Sequence, residues 1–221
     1  MIELERLRGV IVSVQAPGSL LDTPATIALL ARVAEANGAA AVRVQGGPTI
    51  AAVKRAVAIP VIGLVKRSYA GFLPYITPTL REVAEIVAAG ADVVAFDATD
   101  RPRPGGASVA AMVASITARS ALAMADCACA ADGVRAAAAG AALVATTLCG
   151  YTADTAGMPL PALGVVRELA SSGAVAICEG GVGRPEDVTA AFAAGAYAVV
   201  VGTAITNVDV LVQRFVAAKP T

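Results

Sequence analysis

The sequence predicts a single α/β domain over residues 1–221, closed as a (β/α)8 TIM barrel, and three observations carry that prediction. Short β-branched apolar runs recur about every 20 to 30 residues with amphipathic helical stretches between them, which is a βα rhythm. Four of the intervening helices close on one small-residue signature, ending at Gly38, Gly90, Gly140 and Gly195, where glycine suits the left-handed turn past a helix C-terminus. No linker, charge block or composition shift divides the chain, and no Gly-x-Gly-x-x-Gly follows the first run, so a closed barrel is favoured over an open dinucleotide-binding sheet.

Taken in order, the eight runs each deliver a polar or glycine residue at the end where such barrels build their active sites. GVIVSV from Gly9 is followed by Gln15, and AVRV from Ala41 carries Arg43 within it. VIGLV from Val61 leads to Lys66 and Arg67, DVVAF from Asp92 to Asp97, and ALAM from Ala121 to Asp126. ALVA from Ala142 leads to Thr146 and Thr147, AVAIC from Ala174 to Glu179, and YAVVV from Tyr197 to Gly202 and Thr203. The opposite strand ends carry mostly Ala and Gly.

Composition bounds the partners. Hydrophobic content of 57% against 15% charged and 4% aromatic residues indicates a large interior of small aliphatic side chains. Seventeen basic and seventeen acidic residues cancel, and no stretch clusters Lys or Arg with aromatics, so a nucleic-acid surface is excluded while local phosphate binding is not. The four cysteines, Cys127, Cys129, Cys149 and Cys178, sit in apolar or small-residue surroundings, as reduced thiols do. The Cys-Ala-Cys at 127–129 lacks a second ligand pair or a histidine to complete a zinc site. Two uncharged segments, 136–153 and 188–208, approach bilayer length, but each breaks into a helix end, a glycine turn and a short strand. The N-terminus carries acidic residues before its apolar run, unlike a signal peptide, so a cytoplasmic protein without a membrane anchor is expected.

Each polar strand-end residue has a structural and a chemical reading. Lys66 could lay its stem on the barrel rim with its ammonium in water; alternatively, desolvation and an inward Arg43 would lower its pKa toward the neutral amine that a general base requires. Asp126 and Glu179 could pair with those same cations or take part in acid/base work. Asp97 and Asp92 are secondary candidates, and Asp97, which opens DATDRPRPGG, could simply brace its loop. EGGVGRPEDV from Glu179 and VVGTAI from Val200 place glycines between strand and helix, offering backbone N–H groups to an anion, as barrel phosphate sites after strands 7 and 8 do. The chain contains no histidine, which removes imidazole acid/base chemistry, Ser-His-Asp triads and His-containing metal sites. Lysine and carboxylates remain.

The segments SVQAP at Ser13, VKRSY at Val65, YITPTL at Tyr75, DATDRPRP at Asp97, MAD at Met124, TTLCGYT at Thr146, EGGV at Glu179 and AYAVVVGTAIT at Ala196 run nearly end to end, in register with the eight units. In these the chain resembles the N-acetylmannosamine-6-phosphate 2-epimerase family. The resemblance implies interconversion of that phosphorylated amino sugar with N-acetylglucosamine 6-phosphate in sialic acid breakdown, without a cofactor or metal. It implies Lys66 as the acid/base at C2 and Glu179 as an aid to ring opening or proton traffic. It further implies that Gln15, Arg43, Asp126 and Thr147 bind the sugar, that Gly180, Gly181, Gly202 and Thr203 hold the phosphate, and that the protein forms a homodimer. Gln45, Ser68 and Asn207 depart from the family's usual Asn, Asp and basic residue. Two rivals remain: a barrel lyase or aldolase with a Schiff base on Lys66, and a sugar-phosphate sensor without turnover.

Overall fold

The computed structural model describes residues 2–219. Eight parallel strands hydrogen-bond in sequence order and close into a barrel, with β8 pairing back onto β1. They are β1 (Gly9–Ser13), β2 (Ala41–Gln45), β3 (Val61–Leu64), β4 (Val93–Asp97), β5 (Leu122–Asp126), β6 (Leu143–Ala145), β7 (Ala176–Glu179) and β8 (Ala198–Val201). Between them run α1 (Pro24–Ala36), α2 (Gly47–Ala56), α3 (Leu80–Ala88), α4 (Val109–Thr117), α5 (Ala130–Ala138), α6 (Leu163–Ser171) and α7 (Pro185–Ala193); the short α8 (Thr203–Thr206) and then α9 (Val208–Ala217) follow β8. The expected (β/α)8 barrel is therefore the fold of this chain, each expected strand being found within about two residues of its observed place.

Alternation along each strand sorts the core into two layers. Ile11, Ile62, Leu64, Met124, Leu143, Ile177 and Val200 fill the barrel interior, while Val42, Val44, Val94, Phe96, Val144 and Val199 belong to the layer shared with the helices. The same parity sets the upper rim: what points Met124 inward also points Asp126 inward, and Leu64 does the same for Lys66. Leu7, fully buried in the inner cluster, lies just ahead of β1 and closes the other end. On the outer face of β3, a Cβ on Gly63 would stand 2.7 Å from Ile86 Cγ2 and 2.9 Å from Ile50 Cδ1, so only glycine lets α2 and α3 close on this strand.

The helix punctuation follows the sequence signals. Thr23, Thr79 and Ser108 cap α1, α3 and α4, and Thr79 with Glu82 forms a full capping box. Gly38, Gly90, Gly140 and Gly195 each lie one residue past a helix cap at φ of +87° to +97°. Asp92 sits just ahead of β4, away from the rim where active sites form; it pairs with Lys54 and accepts from the Val61 N–H, so it serves the framework. The two uncharged segments resolve into α5, β6 and a loop, and into α7, β8 and α8; among the described residues no helix is long and apolar enough to cross a membrane.

Candidate active site

Beneath the mouth of the barrel, β2, β5, β6 and β7 contribute one continuous polar network. Arg43 is 1% exposed and grips Asp126, itself 0% exposed, through Nη1 to Oδ1 at 3.0 Å and Nη2 to Oδ2 at 2.7 Å. The same Nη1 lies 2.9 Å from Glu179 Oε2. Thr147 Oγ1 stands 2.7 Å from Asp126 Oδ1 and 3.0 Å from Glu179 Oε2. One hydroxyl hydrogen satisfies only one carboxylate at a time, so two fully ionised carboxylates would leave one of these contacts unfavourable. Burial pushes the Glu179 carboxyl up to about 7, with Arg43 opposing and Asp126 adding to the rise. Thr146 fixes this residue from behind: its hydroxyl donates to the Glu179 carbonyl at 2.9 Å and accepts from the Glu179 N–H at 3.0 Å. For Arg43 burial alone would lower the pKa, but Asp126 and Glu179 more than offset it, so the guanidinium stays charged.

Lys66 follows β3 and is anchored by a short antiparallel ribbon. The Arg67 N–H donates to the Tyr75 carbonyl at 2.9 Å, and the Thr77 N–H donates to the Val65 carbonyl at 2.7 Å. Thr77 holds φ at +45°, a costly conformation for a β-branched residue; its hydroxyl donates to the Ala95 carbonyl at 2.6 Å and helps hold it there. Arg67 turns away to Glu82 and Glu85, leaving Lys66 as the member of the pair at the pocket. Lys66 retains solvent contact, yet the surrounding protein displaces enough water to lower its pKa, and the charge of Arg43 lowers it further against the pull of Glu179 and Asp126. It forms no ion pair among the described residues.

These groups border an open pocket of about 410 Å³ at the C-terminal ends of the strands. Gln15, Lys66, Thr147 and Glu179 line its chemical end, and Gly180, Gly181, Gly202 and Thr203 line the other. Arg43 and Asp126 do not line it; they lie under its floor with their charges turned on each other and on Glu179. Gln15 donates to Ser13 Oγ at 2.9 Å, while its buried Oε1 has no partner and is available as an acceptor. Gly181 adopts φ +73°, and a Cβ there would stand 2.4 Å from Leu160 Cβ, so this turn tolerates no side chain. At β8, Thr206 ties α8 to the first strand through the Ser13 carbonyl at 2.7 Å.

Several pocket residues carry no signal in strand-end reasoning. Tyr75 and Tyr151 line the pocket, and their one trace is membership of the YITPTL and TTLCGYT segments in a chain with four tyrosines. Burial raises the Tyr75 pKa, helped by Asp126 and Asp97, so its hydroxyl remains a donor. Arg214, on α9, also reaches the pocket. Asp97 does not line it: its Oδ1 accepts from the Thr99 N–H and hydroxyl, and Arg101 pairs with Oδ2 at 2.7 Å, so it braces its loop. Cys127, Cys149 and Cys178 are buried thiols with raised pKa, first through burial. Among the described residues no group of three or more His, Cys, Asp or Glu side chains is arranged to hold a metal ion.

Comparison with known proteins places this geometry among relatives. A family described as "Putative N-acetylmannosamine-6-phosphate epimerase" matches residues 27–220. A protein of Caldanaerobacter subterraneus subsp. tengcongensis named "Putative N-acetylmannosamine-6-phosphate 2-epimerase" is 43% identical over 212 residues, covering 94% of this chain and 90% of its own. One of the same name from Cutibacterium acnes is 44% identical over 204 residues, covering 90% and 88%. The solved N-acetylmannosamine-6-phosphate 2-epimerase from Clostridium perfringens superposes with a TM-score of 0.93 at 35% identity over 97% of this chain and 95% of that one. A 3-hexulose-6-phosphate synthase structure, at a TM-score of 0.64 and 23% identity, shares the fold.

Proposed function

The chain belongs to the N-acetylmannosamine-6-phosphate epimerase family, and from that premise we propose that it interconverts N-acetylmannosamine 6-phosphate and N-acetylglucosamine 6-phosphate by moving the proton at C2. The observation that carries the mechanism is the pairing, in one pocket, of a lysine held below its ordinary pKa with a carboxyl raised to about 7. A carboxyl near 7 is protonated in part at neutral pH and offers an acid, while the lowered Lys66 pKa shifts its amine toward the neutral form that a base requires.

A C2 hydrogen becomes acidic only when C1 is an aldehyde, so the pyranose must open first. In this reading Glu179, protonated in part at neutral pH, exchanges the ring-opening proton through Oε1, the oxygen absent from its contacts with Arg43 and Thr147. The Lys66 amine then takes the C2 proton. The resulting enolate oxygen finds the new Lys66 ammonium and the Tyr75 hydroxyl within the same pocket, and return of the proton to the opposite face inverts the centre. Arg43, Asp126 and Thr147 act as positioning residues, setting the orientation and the proton affinity of Glu179. The unpartnered Gln15 Oε1 suits the N–H of an acetamido group. The turns after β7 and β8 receive the 6-phosphate. No step requires a redox group or a metal.

Proton NMR of N-acetylmannosamine 6-phosphate with the protein in D2O tests this directly. The expected result is the N-acetylglucosamine isomer carrying solvent deuterium at C2; a substrate unchanged after prolonged incubation removes the proposal and leaves the sensor. Carbon–carbon cleavage, together with a borohydride-reduced adduct on Lys66, would select the Schiff-base lyase instead.

A further inference from the structure

Among the described residues only two cationic side chains line the pocket, Lys66 and Arg214. Lys66 belongs to the chemical end. The remaining lining residues around the glycine turns include Gly181, Gly202, Thr203 and Asn207, which offer hydrogen bonds but no charge. Asn207 is further constrained, because its Oδ1 accepts from the Val210 N–H at 3.2 Å and so caps α9, leaving only its amide donors for a ligand. Arg43 does not line the pocket, and both its Nη atoms are committed to Asp126 and Glu179.

Arg214 stands seven residues after Asn207, hence two turns along α9 and on the same face. Helical side chains lean toward the helix N-terminus, so a long arginine here extends back over the barrel rim toward Gly202 and Thr203. It takes part in no ion pair among the described residues. We propose that Arg214 is the charged ligand of the substrate's phosphate, a specificity-determining residue supplied by the C-terminal helix and not by the strand-end loops. The inference rests on the phosphorylated-sugar reading given above. The planar guanidinium places two donors on two phosphate oxygens, which backbone N–H groups then share from the glycine side. It also gives α9 a ligand-dependent tie to the barrel, in a helix that buries none of its own residues.

The test is steady-state kinetics on N-acetylmannosamine 6-phosphate and on free N-acetylmannosamine, with inorganic phosphate as competitor, for the unaltered protein, Arg214→Gln and Arg214→Lys. For Arg214→Gln the ratio of kcat/KM between phosphorylated and free sugar should fall about 10- to 100-fold, the range for losing a charge-assisted contact. The inhibition constant for inorganic phosphate should rise in parallel, and Arg214→Lys should recover part of both as a point charge. If Arg214→Gln keeps the ratio and the phosphate inhibition, or weakens both sugars equally, the assignment is overturned while the phosphate pocket stands. If the unaltered protein shows no preference for the phosphorylated sugar, the functional reading itself fails and Arg214 loses its ligand. A melting curve for each variant separates a local effect from unfolding.

Discussion

The two ends of the pocket are built on opposite principles. At the chemical end, side chains rooted in β2, β5, β6 and β7 lock one another: Arg43, Asp126, Thr147 and Glu179 share contacts of 2.7 to 3.0 Å, with Arg43 and Asp126 sealed from solvent. At the other end, where the phosphate is proposed to bind, glycine turns meet an exposed arginine on a helix with no buried residue. Proton transfer demands atoms held to a fraction of an ångström. A phosphate dianion tolerates looser geometry because its charge acts over a longer range. Under the proposed function rate belongs to one end and affinity to the other, and substitutions can break or sharpen that division.

The largest effect belongs to Lys66. Lys66→Ala should lower C2 deuterium exchange by about 10²- to 10⁴-fold or more, as removal of a general base does. Its melting temperature should stay close to that of the unaltered protein, because the side chain lies at the rim and forms no ion pair among the described residues. Near-normal exchange in this variant would place the base elsewhere.

Arg43 separates the two ends through stability. Arg43→Met would leave Asp126 and Glu179 buried without their cation, so chemical denaturation should report a loss of about 3 to 5 kcal/mol, the usual result of breaking a buried pair from one side. Arg214→Gln, on an exposed stretch, should stay within about 0.5 kcal/mol. Equal losses would mean that both ends are structural, and the division would fail.

The sequence exposed this contrast unevenly. The strands were legible because eight β-branched runs and the glycines at 38, 90, 140 and 195 are local signals. Glu179 and Lys66 were visible as polar breaks after apolar runs. That Arg43 and Asp126 lie under the pocket floor was not, because the contact joins residues 83 positions apart and depends on how deep each strand's side chain sits. Tyr75 was hidden for a similar reason, as it enters the pocket on a ribbon held by Thr77 at positive φ. Arg214 was hidden most completely: an arginine on an exposed amphipathic helix has the pattern of a solvated face, and only the turn through α8 brings it to the rim.

The rigid end should also own the pH dependence. The folded-state pKa of Glu179, about 7, lies above its ordinary 4.5, so between those values the folded protein keeps a proton that the unfolded chain has released. Its contribution to stability is full below the ordinary value and lost as pH rises through about 7. If protonated Glu179 opens the ring and neutral Lys66 takes the C2 proton, kcat/KM should fall by about tenfold per pH unit once pH exceeds both about 7 and the pKa of the Lys66 amine. Glu179→Gln should be much slower, should lack that descending limb, and should flatten the stability decline between the two values. A limb that persists in Glu179→Gln would belong to another group. Lys66 acts as the neutral amine, and its burial, helped by the charge of Arg43, lowers its pKa and so raises the fraction of that form at any given pH.

The smallest effect tests how the loose end is finished. Asn207 lines the pocket but spends its Oδ1 on capping α9, so Asn207→Arg adds charge at the cost of a cap worth about 1 kcal/mol. For a chain of this size that loss should lower the melting temperature by about 2 to 4 °C. With Arg214 already present, the second cation should lower KM for the phosphorylated sugar only about two- to fivefold with little change in kcat, since it binds ground state and transition state alike. In the Arg214→Gln background the same substitution should recover about tenfold or more, because it then supplies the only charge-assisted contact at that end. Equal gains in the unaltered and Arg214→Gln backgrounds would show that the two positions act independently and that Arg214 does not serve the phosphate. An unchanged KM in both would put Asn207 outside the site and leave Arg214 to be judged by its own variants.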